Sequence, residues 1–292
     1  MTSQIKISVI IPLFNVALTI RQCLQSLLRQ NYPKNRFEII VIHNGSTDAT
    51  PQIIKKFPVK IIRRENKENA YTSRNLGVSQ SKGEILFFTD ADCVYEKDLL
   101  KKIEKAFFND KIDAIQGSGN LTKQKNLWVY GECARLTMTS KDFWGDTKNF
   151  VVRKSVFNEF NGFDDRLATG ADSEFVYRLR RSKKKVLYSK DLKVYHWWPE
   201  DPIFLVKKSM GYAHGDFLFE RKMGMDYVKL KLKFICRSMK WSYLRRFNYL
   251  NSLKDRIFSR FEKLVIFLYI FFITNLRSLT TIFWFYKHYR PR

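Results

Sequence analysis

The stretch GEILFFTDAD, residues 83–92, says most about the fold. Its centre, ILFFT, is an unbroken apolar and β-branched run, which is typical of a strand buried on both faces of a sheet. Three comparable runs precede it: KISVIIP (6–12), FEIIVIH (37–43) and VKIIRR (59–64). Helical patterns alternate with these runs, at residues 17–30, 50–57 and 69–81. Strands that alternate with helices predict an α/β fold with a mostly parallel sheet and helices on both faces.

Beyond residue 110 the alternation is looser. Further strand candidates are residues 112–119, 149–154 and 184–189, and residues 171–182 have the pattern of an amphipathic helix. We therefore expect an α/β domain over residues 1–220 and a basic, aromatic helical extension over residues 221–292. The extension ends in residues 264–286, the most apolar window of the chain.

Composition excludes several classes of protein. Of the 292 residues 45% are hydrophobic, and Gly and Pro number only 12 and 7, so disordered and collagen-like chains are excluded. The four cysteines, Cys23, Cys93, Cys133 and Cys236, form no CxxC pair. This argues against a zinc ribbon or a disulfide scaffold and favours a reducing compartment.

The net charge of +25 is concentrated toward the C-terminus, where residues 201–292 contain 19 Lys and Arg against 6 Asp and Glu. Such an excess indicates a polyanionic surface, either nucleic acid or the anionic inner leaflet of a membrane. A non-enzymatic, basic nucleic-acid-binding protein is therefore one alternative. However, the basic residues are not arranged on a recognisable nucleic-acid-binding module, and the acidic motifs described next would have no role in such a protein.

The ends of the predicted strands carry polar residues, and ligands of open α/β sheets bind there. The first strand ends in PLFN (12–15) and the second in HNGSTD (43–48). Turn residues, polar side chains and a following helix N-terminus suit a nucleobase, ribose or phosphate. A tight turn in which Asp48 or Ser46 caps the next helix explains the same residues.

The fourth strand ends in Asp90-Ala91-Asp92. Two carboxylates two residues apart in an extended chain project from the same side, so they can share one hard cation. Without a cation, burial of the pair is costly. The alternative is that one Asp caps a helix beginning near Tyr95.

A third cluster contains GFDD (162–165) and GADSE (170–174). Asp172 falls in the first turn of a predicted helix, where it is either a cap or, if the helix opens at a cleft, a general base. His196 follows 24 residues later, and a lone His is more often structural than a ligand.

Together, SVIIPLFN, HNGSTDAT, SRNLGVSQSKGEILFFTDAD, GFDD and GADSEFVYRL resemble the motifs of the family 2 glycosyltransferases in order and spacing. The resemblance covers residues 6–215 and implies the GT-A fold, a Rossmann-like nucleotide-binding sheet. It also implies an inverting enzyme that moves a sugar from a nucleotide-sugar to a hydroxyl group. The implied nucleotide-sugar-binding residues are Pro12, Asn15, Asn44, Asp48, Arg74 and Asp90.

The resemblance also implies the chemistry of the site. Asp90 and Asp92 would hold Mg²⁺ or Mn²⁺ against the diphosphate, His196 would join the metal site, and Asp172 would deprotonate the acceptor. Two positions depart from the family. His43 replaces an Asp that helps to recognise the base, which leaves the nucleotide open, and Ala171 replaces a Glu beside Asp172.

The residues also allow a mechanism. A divalent cation with Arg74 meets the charge of the leaving diphosphate, and one base on the opposite face suffices for an inverting displacement. A sugar nucleotidyltransferase is the second alternative. That class normally carries a Gly-rich phosphate loop near the N-terminus, whereas residues 12–22 read PLFNVALTIRQ.

The C-terminal extension predicts contact with a membrane. Residues 264–286 contain 17 apolar residues out of 23, and a segment of this length could span a bilayer. Asn275 and Arg277 lie mid-segment, which favours a helix lying in the membrane interface. A span, and a soluble packing helix or dimer contact, are the alternatives. We expect the enzyme on the cytoplasmic face of the membrane, with a glycan or lipid-linked acceptor and no nucleic-acid partner.

Overall fold

The computed structural model describes residues 6–65, 68–108, 112–135, 145–222 and 259–288. The strands are β1 (Ile7–Leu13), β2 (Phe37–Asn44), β3 (Lys60–Arg64), β4 (Ile85–Thr89), β5 (Cys93–Tyr95), β6 (Ala114–Leu121), β7 (Asn149–Arg153) and β8 (Val186–His196). The helices are α1 (Ile20–Leu28), α2 (Thr50–Ile54), α3 (Ala70–Ser79), α4 (Leu99–Phe107), α5 (Leu127–Arg135), α6 (Lys154–Glu159), α7 (Ala171–Arg181), α8 (Pro202–Lys222) and α9 (Arg260–His288). Most of the predicted basic stretch 221–263 lies outside the described residues.

The strands form one mixed sheet in the order β3-β2-β1-β4-β7-β6-β8-β5. The first four of these are parallel, as is the pair β6 and β8. β7 runs antiparallel to both of its neighbours, and β5 runs antiparallel to β8. The predicted α/β class with a mostly parallel sheet is confirmed.

Helices cover both faces of the sheet. Alternate residues of β1, from Ile7 to Leu13, belong to a core that includes residues of α1 and α4. On the opposite face α3 approaches closely because Gly77 has no side chain: a Cβ there would lie 2.6 Å from Ile10 Cγ2 and 2.9 Å from Ile42 Cδ1. The close approach of α3 brings its polar residues to the strand ends.

A cluster of aromatic rings fixes the start of α7. Phe88 of β4 lies 5.0 Å from Phe163, ring centre to ring centre, and Phe163 lies 5.3 Å from Phe175 of α7. The GFDD turn is also tied to α3, because Asn75 Nδ2 donates to the Phe163 carbonyl at 2.8 Å. These contacts hold the first turn of α7, where Asp172 lies, against the central strands.

The predicted strands and helices of the sheet region agree with the observed ones to within a few residues, except at two places. β8 continues to His196, well beyond the predicted end at residue 189. After Asp92 the chain forms β5 instead of a helix near Tyr95, and α4 begins only at Leu99. A three-residue strand is too short to leave a periodic pattern in the sequence. Its pairing with β8 sets Cys93 opposite His196.

The chain divides into two compact units. The sheet unit comprises Met1–Leu121 and Met138–Trp197, and the helical unit comprises Thr122–Thr137 and Trp198–Arg292. The domain boundary after residue 220 stays a prediction. In the structure α5 and α8 belong to the same compact unit as α9. α9 begins with a capping box, since Glu262 N donates to Ser259 Oγ and Ser259 N donates to the Glu262 carboxylate.

Candidate active site

Asn15 links the turns after β1 and β2 by hydrogen bonds. Its Oδ1 accepts the Thr47 N–H at 2.8 Å, and its own N–H donates to Ser46 Oγ at 3.0 Å. Asn15 has a φ of 51°, a left-handed conformation that Asn tolerates better than most residues. Asn15 therefore shapes the predicted nucleotide side of the site, and direct contact with a ligand stays a prediction.

Asp48 also joins the two turns. One carboxylate oxygen accepts the Thr50 N–H at the start of α2, at 2.9 Å, and the other accepts the Ala17 N–H at 3.0 Å. Burial opposes ionisation, but these hydrogen bonds hold the pKa of Asp48 below its usual value. Asp48 therefore bonds to the first N–H of α2 from one position before the N-cap, Ala49, and its nucleotide-binding role stays a prediction.

Asn44, at the end of β2, is almost fully buried and holds α3 in place. Its amide donates to Ser73 Oγ at 2.7 Å and to the Glu68 carbonyl at 3.2 Å. Pro12 lies opposite Ile42 in the register of β1 and β2. Asn44 thus connects the nucleotide side of the sheet to the helix turn that carries Arg74.

Arg74 and Asp90 form a salt bridge at the carboxyl end of β4. The Arg74 side chain is buried, and its guanidinium also lies 5.4 Å from the centre of the Tyr71 ring. A buried guanidinium needs such a partner because unpaired charge is costly away from water. The structure therefore brings together two residues, 16 positions apart, that the sequence predicts to bind one ligand.

Asp92 and His196 form a second pair. Their Oδ1 and Nε2 atoms are 3.2 Å apart, and the Trp197 N–H donates to the Asp92 carbonyl at 2.7 Å. Potential ligand atoms of Asp92, Cys93 and His196 all lie within 4.8 Å of one another. The pairing of β5 with β8 produces this cluster.

The donor set fits a divalent cation that prefers oxygen and imidazole ligands. Asp92 and His196 supply a carboxylate and an imidazole, a combination suited to Mn²⁺ and compatible with Mg²⁺. Burial and the charges of the two Asp residues raise the pKa of the Cys93 thiol. Because residues 91–92 form a turn, Asp90 contacts Arg74 while Asp92 contacts His196. That both carboxylates share one cation stays a prediction.

Asp172, in the first turn of α7, has both carboxylate oxygens held. Oδ2 accepts the Thr147 N–H at 3.1 Å, and Oδ1 accepts the Ser173 N–H at 2.9 Å. Burial, and next the negative charge of Asp146, raise the pKa of Asp172, although these hydrogen bonds and Arg74 act in the opposite direction. A carboxylate with fixed orientation and raised proton affinity is suited to general-base catalysis.

The loop before β7 contains functional residues that the sequence analysis missed. A Cβ at Gly145 would lie 2.1 Å from the Asp172 carbonyl oxygen, so only glycine permits this approach. Asp146 forms a salt bridge with Lys148, and its N–H donates to the buried Gln116 at 2.8 Å. Although burial opposes ionisation, Lys148 holds the pKa of Asp146 below its usual value. The segment has no motif or periodicity that could have indicated this role.

Tyr71 is a second neighbour of Asp172 that the sequence did not indicate. Burial, followed by the charge of Asp172, raises the pKa of the Tyr71 phenol far above its usual value. Its hydroxyl is therefore a permanent hydrogen-bond donor beside the candidate base. Only the tertiary fold brings the two residues together.

The other acidic candidates and the atypical His43 have local roles. Asp164 accepts two hydrogen bonds from the Arg166 guanidinium, both at 2.8 Å. His43 Nε2 accepts the Ser46 N–H at 3.1 Å, and burial followed by the charge of Arg63 lowers the His43 pKa. A neutral imidazole therefore stands at the end of β2.

In chemical terms, the sheet unit contains a fixed carboxylate, Asp172, a carboxylate–imidazole pair, Asp92 and His196, and a buried guanidinium, Arg74. Such a site can bind a diphosphate, neutralise the charge that develops on it and remove a proton from an incoming hydroxyl group.

Comparison with known proteins agrees with this geometry. Residues 8–159 match the family described as Glycosyl transferase family 2, and the chain belongs to this family. Glycosyltransferase AglE of Haloferax volcanii is 29% identical over 197 residues, which cover 64% of this chain and 65% of that protein, just under two thirds of its length. A Methanococcus voltae protein named dolichyl N-acetyl-alpha-D-glucosaminyl phosphate 3-beta-D-2,3-diacetamido-2,3-dideoxy-beta-D-glucuronosyltransferase is 24% identical over 239 residues, 74% of each chain.

A solved structure has the same fold. The mannosyltransferase PcManGT from Pyrobaculum calidifontis, in complex with GDP-Man and Mn²⁺, superposes with a TM-score of 0.58 at 13% sequence identity. The match covers 99% of this chain and 77% of that one. This likeness concerns the fold, and the predicted GT-A architecture is confirmed.

Proposed function

We propose that this protein is an inverting glycosyltransferase that moves a sugar from a nucleoside-diphosphate sugar to a hydroxyl acceptor. The observation that carries the proposal is Asp172, a carboxylate held by Thr147 and Ser173, with a raised pKa, in the same sheet unit as the two strand-end pairs. A single base is what an inverting displacement requires, because no covalent sugar intermediate is formed.

Asp172 accepts the proton of the acceptor hydroxyl as that oxygen attacks the anomeric carbon. The N–H groups of Thr147 and Ser173 keep the carboxylate in one orientation. The Tyr71 hydroxyl and the Arg74 guanidinium stabilise its negative charge before the proton arrives. Asp146 acts in the opposite direction, because its charge favours protonation of Asp172.

The leaving nucleoside diphosphate develops negative charge, which the other side of the site neutralises. Asp92 and His196, with Asp90, would hold Mn²⁺ or Mg²⁺, and the cation would supply electrostatic stabilisation of the diphosphate. The Mn²⁺ and GDP-Man named for the PcManGT structure support this cofactor and this donor class. Arg74 stays paired to Asp90 and adds a fixed positive charge.

The donor-binding side is formed by the turns after β1 and β2. We assign Pro12, Asn15, Asn44 and Asp48 to this side, with Asn15 and Asp48 shaping the turns. The neutral His43 at the end of β2 would present an imidazole to the base in place of a carboxylate.

The acceptor belongs to cell-envelope or lipid-linked glycan synthesis. The name of the Methanococcus voltae relative contains a dolichyl-linked sugar phosphate, which supports a lipid-linked acceptor. The protein then works on the cytoplasmic face of a membrane. The helix segment Phe261–Thr281, with a mean hydropathy of 1.6, is long and apolar enough to cross a bilayer, although length and composition alone are weak support.

A donor panel tests the proposal. Purified protein is incubated with UDP- and GDP-sugars and Mn²⁺ or Mg²⁺, and donor hydrolysis and thermal stabilisation are measured. We expect one base to raise the melting temperature and to support slow hydrolysis that requires the cation. No stabilisation by any nucleotide-sugar, together with salt-sensitive binding to random oligonucleotides, would overturn it in favour of the nucleic-acid-binding alternative.

A further inference from the structure

Within the helical unit, α9 is apolar both on its packed side and on its outward side, and its packed side also contains Thr281 and Arg277. Thr281 is fully buried, and the Arg277 guanidinium lies 5.5 Å from the centre of the Tyr212 ring of α8. The residues of the outward side are each more than half exposed: Phe261, Leu264, Leu268, Phe272, Leu279 and Phe283. A helix on the surface of a protein in water normally presents charged and polar residues on its outward side.

These six residues, hereafter the outer stripe, recur every three to seven positions and lie on one side of the helix. The side facing away from the stripe packs on α5 and α8, through Ile266, Ile270 and Ile273. At about 1.5 Å of rise per residue the stripe is about 33 Å long. Apart from Asn275, which falls between Phe272 and Leu279, it is an apolar surface larger than the scattered exposed side chains of ordinary proteins.

The polar residues of α9 are satisfied by the helix itself. Asn275 Nδ2 donates to the Phe271 carbonyl at 2.7 Å, and Thr280 Oγ1 donates to the Leu276 carbonyl at 2.8 Å. Thr281 Oγ1 bonds in the same way to the Arg277 carbonyl at 2.7 Å. Such internal hydrogen bonds are what a helix needs where water is excluded.

The neighbouring helix decides the orientation. α8 runs alongside α9 in the same direction, because Val206 packs near Ile266 and Ile270 whereas Tyr212 packs on Arg277. Lys207, next to Val206, is exposed. If α9 crossed a bilayer, α8 would accompany it and Lys207 would lie within the hydrocarbon, which is unfavourable.

We propose that α9 lies in the plane of a lipid bilayer, with the outer stripe embedded at the boundary of headgroups and acyl chains of an anionic leaflet. The excess of 19 Lys and Arg over 6 Asp and Glu in residues 201–292 complements anionic headgroups. This inference rests on the proposed membrane location and specifies the surface and orientation that produce it.

Vesicle flotation tests the surface. The full chain is mixed with phosphatidylcholine vesicles with and without phosphatidylglycerol. The double variant Leu268→Glu, Phe272→Glu should lose binding to the anionic vesicles about tenfold or more, because charge is excluded from the acyl region. The control is Phe108→Glu, which alters an exposed Phe of the sheet unit and should bind as the wild type does. The milder pair Leu268→Gln, Phe272→Gln should show a smaller loss, with unchanged circular dichroism.

Depth measurements test the orientation. Single cysteines are introduced as Leu264→Cys, Phe272→Cys or Leu279→Cys with Cys236→Ser, labelled with a fluorophore and quenched by lipids with shallow or deep quenchers. We expect equal, shallow depths at the three positions. A deepest label at residue 272 would mean a transmembrane helix and would overturn the proposal.

Two further outcomes separate this inference from the proposed function. A lipid-free dimer that Leu268→Glu, Phe272→Glu dissociates, with no vesicle binding by the wild type, would assign the stripe to a second copy of the chain and overturn the lipid interface. Donor hydrolysis in detergent should be unchanged in the stripe variants. Absence of hydrolysis from a wild-type protein that binds vesicles would count against the glycosyltransferase proposal alone.

Discussion

The sheet unit and α9 use buried polar groups in different ways. In the sheet unit β4 is entirely buried and apolar, and charged residues collect at its carboxyl end, where Asp90 pairs with Arg74. In α9 one side buries Ile266, Ile270 and Ile273 together with Thr281, whose hydroxyl bonds to the backbone of the helix itself, while six large apolar residues are exposed on the other side. We relate the difference to the proposed surroundings: water and a charged ligand for the sheet unit, and a lipid interface for α9.

The largest expected effect concerns the base. Asp172→Asn should lower glycosyl transfer by about a thousandfold, because the amide cannot accept the acceptor proton. Since the pKa of Asp172 is raised in the fold, ionisation of this group opposes folding as the pH rises through its pKa values. Because the amide can accept only one of the two backbone N–H bonds, the gain from removing this ionisation offsets a lost hydrogen bond, and the melting temperature at neutral pH should change little. Turnover and thermal melting measure the two effects.

Asp165→Asn is the matched control for that experiment. Asp165 belongs to the neighbouring GFDD turn and is exposed, so its variant should keep wild-type turnover. Wild-type turnover in Asp172→Asn would mean that the base lies elsewhere. The burial of the Asp172 carboxylate would then need another explanation.

The cation site is expected to raise turnover about a hundredfold. Asp92→Asn should lower turnover by that factor, the scale of losing one electrostatic stabiliser. Chelation should abolish activity, and Mn²⁺ or Mg²⁺ should restore it. His196→Ala should weaken Mn²⁺ binding, measured by electron paramagnetic resonance, more than it lowers the melting temperature. Full activity in excess chelator would contradict the assignment.

Asp90→Asn distinguishes the two carboxylates. It should also reduce turnover about a hundredfold. Because it leaves the buried Arg74 without its carboxylate, it should additionally lower stability by about 1–3 kcal/mol, which Asp92→Asn should not. Denaturant unfolding of the two variants provides the measurement. Equal stabilities would mean that the Arg74 salt bridge is not important for the fold.

The pH dependence of kcat/KM should reveal the neighbour of the base. Asp172 works deprotonated, so its raised pKa predicts that activity falls with decreasing pH above the range of an ordinary Asp. Asp146→Asn removes the neighbouring negative charge and should move this acidic limb to lower pH. An unchanged limb, with Asp146→Asn still folded, would show that Asp172 and Asp146 do not interact.

The smallest effects come from one substitution made in both units. Gly77→Ala should destabilise the protein by about 1–3 kcal/mol, since its Cβ would lie within 3 Å of two core side chains. Gly211→Ala in α8 meets nothing within 4 Å and should stabilise by about 0.5–1 kcal/mol. Denaturant unfolding measures both. Equal signs would contradict the close packing of α3.

The sequence by itself determined the alternating strands and helices and the family. Unbroken apolar runs such as ILFFT specify buried strands because no other element of that length hides every side chain. It also indicated Asp90 and Asp92, since polar residues at strand ends face a common edge, and the resemblance to the family added Asp172 and His196. The residues that contact them could not be predicted from the sequence, because these contacts join chain segments that are far apart in sequence.

Only the tertiary structure decided those partners and the polarity of α9. β5 leaves no pattern, yet its pairing sets Cys93, and with it Asp92, opposite β8 and so brings Asp92 to His196. Asp146 and Tyr71 become neighbours of Asp172 only through loop and helix packing. For α9, composition predicts an apolar helix, but which side faces outward depends on the contacts with α5 and α8. Periodicity records which residues share a side, whereas packing determines what that side meets.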